Sequence, residues 1–240
     1  MRSVGVKTVG VLGGLGPEAT LDFFAKVLKR TGAGSDQEHL RLIIDNNPQV
    51  PNRNYAVAGR GPSPAPQLAA MARGLERAGA DFLVMVCNSA HAYEQAILEA
   101  VAIPFLSLIE LTRDEVVQKH PGVRTVGLLA AAGCLDAGLY QRAFAGAGIR
   151  VLVLTGAERE SFMTLLYRVK AGDTGAATRA EMRALARTLA LRGAEVMVAG
   201  CTEVPLVLGD GDLAVPLVDS TDVLVDRTIA YAREPLAEPG

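Results

Sequence analysis

Little in this chain is in surplus, and its shortages exclude several classes of function. No charge of one sign dominates. The 240 residues hold 24 lysines and arginines against 26 aspartates and glutamates, for a formal net charge of −2 and a pI near 6.0. That balance gives no electrostatic handle for nucleic acid or for an anionic membrane. Long hydrophobic runs are missing too. Mean hydropathy is +0.24, yet stretches such as residues 82–92 fall far short of the ~18 apolar residues that span a bilayer. The opening MRSVGVKTVGVLGG lacks a cleavable signal pattern, so a soluble, cytoplasmic protein is expected. Cysteine is scarce. Cys87, Cys134 and Cys201 make neither a disulfide framework nor a CxxC pair, and free thiols follow. His39, His91 and His120 show no ligand spacing with those cysteines, which argues against a metal site.

What is present is a globular composition, with 50% apolar and 21% charged residues. The length suits one large domain or two of about 120 residues. A duplication decides for two halves. ARGLERAGADFLVMVCN (72–88) aligns without a gap to ARTLALRGAEVMVAGCT (186–202), with seven of 17 positions identical and both cysteines matched. TVGVL at 8–12 is echoed by TVGLL at 125–129, and IPF at 103–105 by VPL at 215–217.

The pattern predicts strands at 8–12, 40–44, 81–86 and 103–106, and again at 125–129, 151–154, 195–199 and 215–217. Between them it predicts helices at 17–30, 67–78, 90–100, 108–119, 137–146, 158–170, 175–191 and 220–233, with a frayed tail at 234–240. Residues 45–66 read as a long irregular loop forming a wall or lid of the site. Alternating strands and helices imply α/β architecture: two pseudosymmetric, doubly wound parallel-sheet domains facing each other across a cleft. The expected division is 1–107 and 108–240, with helix 219–233 packing back on the first half.

Each half delivers a cysteine at the carboxyl end of its third strand. Each cysteine precedes small polar residues that should open a helix, where N–H groups and the dipole favour thiolate over thiol. The same N–H groups could hold a carboxylate, and Asn88, Ser89 and Thr202 would add side-chain donors. A thiol and a thiolate of similar strength on opposite sides of one carbon can take a proton from one face and return one to the other. That reaction needs neither metal nor cofactor.

The segments GGLGPEAT (13–20), NNPQVPNR (46–53), CNSAH (87–91) and GCTEVP (200–205) resemble the signatures of the aspartate/glutamate racemase superfamily. Glu203, where the glutamate branch has histidine, points to the aspartate racemase branch. The resemblance spans essentially the whole chain. It implies a pyridoxal-independent racemase with Cys87 and Cys201 as bases, a small-molecule amino-acid substrate, and a homodimer. By position Arg53 would bind a substrate carboxylate, with Gln49 and Leu15 nearby. Ala131 and Cys134 stand where members carry threonines that hold the α-carboxylate. Ser161 stands where members acting on acidic amino acids carry a lysine, ahead of the run 166–172 that ends in Lys170-Ala171-Gly172. Asn52 replaces an aspartate.

Other readings are weaker. Gly14-x-Gly16-x-x-Ala19 is a loose dinucleotide fingerprint, but Asp45 lies 31 residues past Gly14 where about 20 is expected. His91 reads as a packing residue behind Cys87, and Glu203 as a helix N-terminal charge. A decarboxylase or cis–trans isomerase of the same superfamily, or a non-catalytic amino-acid-binding protein, stands as the alternative function.

Overall fold

A computed structural model describes residues 6–209 and 211–235; the last residues of the expected frayed tail lie outside them. The first half runs β1 (Val9–Gly13), α1 (Pro17–Thr31), β2 (Leu42–Asn46), α2 (Arg53–Val57), α3 (Ala65–Arg77), β3 (Phe82–Met85), α4 (Glu94–Leu98), β4 (Phe105–Leu106) and α5 (Leu108–Lys119). The second runs β5 (Thr125–Ala130), α6 (Ala132–Asp136), α7 (Leu139–Ala145), β6 (Arg150–Val153), α8 (Gly156–Lys170), α9 (Ala176–Leu191), β7 (Val196–Gly200), β8 (Leu217–Asp219) and α10 (Ser220–Arg233).

Two parallel sheets result, ordered β2-β1-β3-β4 and β6-β5-β7-β8, the same topology twice. The near-continuous apolar β1, β3, β5 and β7 are buried throughout, as strands covered on both faces must be. The prolines of the IPF and VPL echoes do not join the ladder, because they have no N–H to give. Their carbonyls do: Leu83 N–H donates to Pro104 O and Met197 N–H to Pro216 O, each at 2.8 Å. This starts β4 and β8 two residues later than the apolar pattern alone indicates.

The largest core lies between the sheets and takes residues from both halves. Val9, Val11 and Phe23 pack there with Val126, Leu128 and the α10 residues Leu224 and Val225. Helix α10 meets both α1 and α5. Lys26 of α1 reaches Asp219 (3.1 Å) and Asp222 (2.9 Å) at the start of α10. Among the described residues no helix is long and apolar enough to cross a membrane.

Beyond shifts of one or two residues at element ends, such as β2 starting at Leu42 where 40 is expected, three expected elements differ. The loop at 45–66 contains α2, because Asn52 accepts from Asn54 N–H (2.9 Å) and Tyr55 N–H (3.2 Å) and caps a helical turn. The helix expected at 137–146 starts five residues earlier and breaks at Gly138, whose φ of 62° separates α6 from α7. The helix expected at 90–100 begins instead as a tight 3₁₀ segment, Ser89–Tyr93, which carries the buried His91.

Candidate active site

The carboxyl ends of β1, β3 and β7 open on one cleft of about 490 Å³, and Cys87 and Cys201 both line it. They are 8% and 7% exposed. Chain geometry brings the floor together. Gly14 turns the chain after β1 at φ 77°, and a Cβ there would lie 2.3 Å from Asn47 N, so only glycine lets the two loops cross. Arg53, at the start of α2, donates to Val50 O (3.0 Å), Pro51 O (3.0 Å) and Leu15 O (2.5 Å). It ties the 48–54 wall to the turn after β1 and itself lines the cleft. Asn54 extends the wall to the other half by accepting from Gly133 N–H at 2.8 Å.

Cys201 is electrostatically distinctive. Its thiol donates to Glu203 Oε2 at 2.9 Å. Burial, then the Glu203 carboxylate, push its pKa well above the ordinary thiol value, against the pull of Lys170. This corrects the expectation of a thiolate at a helix N-terminus. The residues after Cys201 form only a 3₁₀ turn (Val204–Leu206), and those after Cys87 another, so neither cysteine directly precedes an α-helix. Glu203 stands at the start of the Val204–Leu206 turn, as a helix-end charge would, but its side chain makes no capping bond to it. It is 4% exposed and paired with Lys170 Nζ. Burial opposes the charge on Lys170, but Glu203 and then Cys201 and Cys87 outweigh it and hold its pKa up. Lys170 thus stands within electrostatic reach of both thiols.

His91 supports Cys87 from behind. Its Nδ1–H donates to Cys87 O at 2.8 Å, and its Nε2 accepts from Leu108 N–H, the first of α5, at 3.0 Å. Those partners fix the neutral tautomer, and burial lowers the pKa from 6.5 to about 4.

Of the residues expected to touch substrate, Leu15, Gln49, Arg53, Asn88, Ser89, Ala131 and Thr202 line the cleft. Leu15 does so at the backbone, since its side chain belongs to the core under β1. Cys134 and Ser161 do not line it. Cys134 is fully buried in the core shared by both halves, where burial raises its pKa. Ser161 lies nine residues from Lys170 on α8, and at about 100° per residue that places it on the opposite face of the helix; it is exposed. Arg159 pairs with Asp136 at 2.6 Å. Asn54, Tyr167 and Lys170 are cleft residues that sequence reasoning did not assign to the site, the last two lying together on α8. Their spacing of three, one helical turn, was the available signal.

The chain belongs to the family described as Asp/Glu/Hydantoin racemase, whose model matches residues 12–228. Within that class it is 27% identical over 229 residues to the broad specificity amino-acid racemase RacX of Bacillus subtilis (strain 168), covering 92% of this chain and 96% of that one. Among solved structures it resembles the Picrophilus torridus aspartate racemase, with 28% identity, TM-score 0.84, and 97% and 96% of the two chains covered. An aspartate racemase homologue from Pyrococcus horikoshii OT3 matches at 25% identity and TM-score 0.76, over 95% and 100%.

Proposed function

We propose that this protein is an amino-acid racemase that inverts Cα by two-base proton transfer between Cys87 and Cys201. One observation carries the reading: duplicated strand ends present two cysteines to one cleft. In the resting site Cys201 is the thiol, hydrogen-bonded to Glu203, and Cys87 is the base. A Cys87 thiolate takes the Cα proton, leaving its electron pair on carbon, and the Cys201 thiol protonates the other face. Cys87 ends as thiol and Cys201 as thiolate, and the opposite enantiomer runs the steps backwards. Lys170 offsets the thiolate charge wherever it resides. The transfer calls for no cofactor.

Arg53 and Lys170 attract the substrate carboxylate. The charge on Lys170 is already matched by Glu203, and Ala131 in the cleft lining offers no side-chain donor. These features favour a range that extends past acidic side chains, as the name of the Bacillus subtilis relative also does. The test is chiral chromatography after incubation with single enantiomers, from aspartate and glutamate to neutral and basic amino acids. Formation of the opposite enantiomer, lost by about 10³-fold or more in both Cys87→Ala and Cys201→Ala, is expected. Carbon dioxide release or cis–trans conversion without inversion would favour the decarboxylase or isomerase alternatives, and binding without turnover the amino-acid-binding protein.

A further inference from the structure

We propose that Tyr140, Asn88 and Ser220 form a buried strut that sets how Cys87 and Cys201 face each other, making Tyr140 a positioning residue for inversion. The inference rests on the two-cysteine reading. Asn88 immediately follows Cys87. Its Oδ1 accepts from the Tyr140 hydroxyl at 2.6 Å, and its Nδ2 donates to Ser220 Oγ at 3.2 Å. Ser220 in turn donates to Ala199 O at 2.8 Å, on β7 two residues before Cys201. Tyr140 also touches the second side directly. A Cβ on Gly200, the residue before Cys201, would lie 3.0 Å from Tyr140 Cε2. One tyrosine therefore bears by its hydroxyl on the neighbour of one cysteine and by its ring edge on the neighbour of the other.

The strut joins α7, the turn after β3, and α10, so it crosses between the halves. Tyr140 and Ser220 are fully buried and Asn88 nearly so. In that dry setting each bond is held firmly, and an unmatched polar atom is costly. Asn88, expected to bind substrate, has both its amide oxygen and one amide hydrogen engaged by this strut.

Inversion needs the second sulfur aligned with the far face of the carbanion, whereas hydrogen exchange with retention needs only the first. A displaced partner should therefore depress inversion more than exchange. The experiment follows both rates by proton NMR in D₂O, with wild type, Tyr140→Phe and Ser220→Ala, using an amino acid that wild type inverts. Circular dichroism establishes that each variant is folded, and the two variants open the strut at different bonds, so one that folds suffices. Expected is a fall in inversion of about 10- to 100-fold with KM nearly unchanged. The ratio of deuterium in recovered substrate to deuterium in product should rise. If both rates fall in step in the folded variants, with that ratio unchanged, the strut is merely structural and the inference is overturned. If wild type neither exchanges nor inverts any amino acid, the racemase reading falls and the inference with it.

Discussion

Cys201, Glu203 and Lys170 form a chain of thiol, carboxylate and ammonium in which the acid form of the thiol is the stable one. The acid of a two-base transfer sets the alkaline limb of the rate profile, where it loses the proton it must donate. Glu203 raises the thiol pKa both by its charge and by accepting the Cys201 proton. In Glu203→Gln the alkaline limb of the kcat/KM profile, set by the Cys201 thiol, should therefore move to lower pH, with an acidward shift of thiolate ultraviolet absorbance as the independent check. Lys170→Met should act in the other direction, moving that limb to higher pH because the cation that pulls the Cys201 pKa down is gone. It also leaves Glu203 buried without its partner. With the lysine side chain 36% exposed, the loss of stability in urea unfolding should be about 1–3 kcal/mol, below that of a fully buried pair. Lys170→Met/Glu203→Gln should recover much of that loss.

Among the elements, the 3₁₀ segment Ser89–Tyr93 shows why parts of the site were legible and others not. The duplicated segment and the strand-end cysteines could be read from residues alone, because strand and helix periods are local. Helix-end chemistry could not. His91 makes its bond to α5 across 17 residues, a contact that no local pattern of residues reveals. The same holds for Arg53, whose bond to Leu15 O spans 38 residues. Cys134 and Ser161 were placed by alignment, which gives a position along the chain but not the helix face it occupies. The buried neutral histidine has a measurable consequence. Its folded pKa is depressed to about 4 from 6.5, so the unfolded state takes up the proton first. Its contribution is complete above pH ~6.5 and is lost as pH falls toward ~4, at up to about 1.4 kcal/mol per pH unit. Urea unfolding across that interval should show a flatter pH dependence for His91→Gln than for wild type.

Across the whole molecule, the halves share a core, and α10 returns from the second half to lie on α1 of the first. Lys26 is the polar counterpart of that packing, enclosed by Asp22, Asp219 and Asp222. Burial opposes its charge, but Asp219 and the other carboxylates hold its pKa above the ordinary lysine value. Burial chiefly raises Asp219 to about 6, against the pull of Lys26. Lys26→Met should destabilise the chain by about 1–3 kcal/mol at neutral pH. The deficit should shrink below pH ~6 as Asp219 protonates, which thermal unfolding at several pH values would reveal. The duplication itself carries the central claim, that each half contributes one base to one carbon. Early-time proton NMR of a single L-amino acid in D₂O tests it most directly. Two bases predict deuterium at Cα of the newly formed D enantiomer while the recovered L substrate stays largely protiated. Deuterium entering recovered substrate as fast as it enters product would mean that a single base serves both faces, contradicting the account.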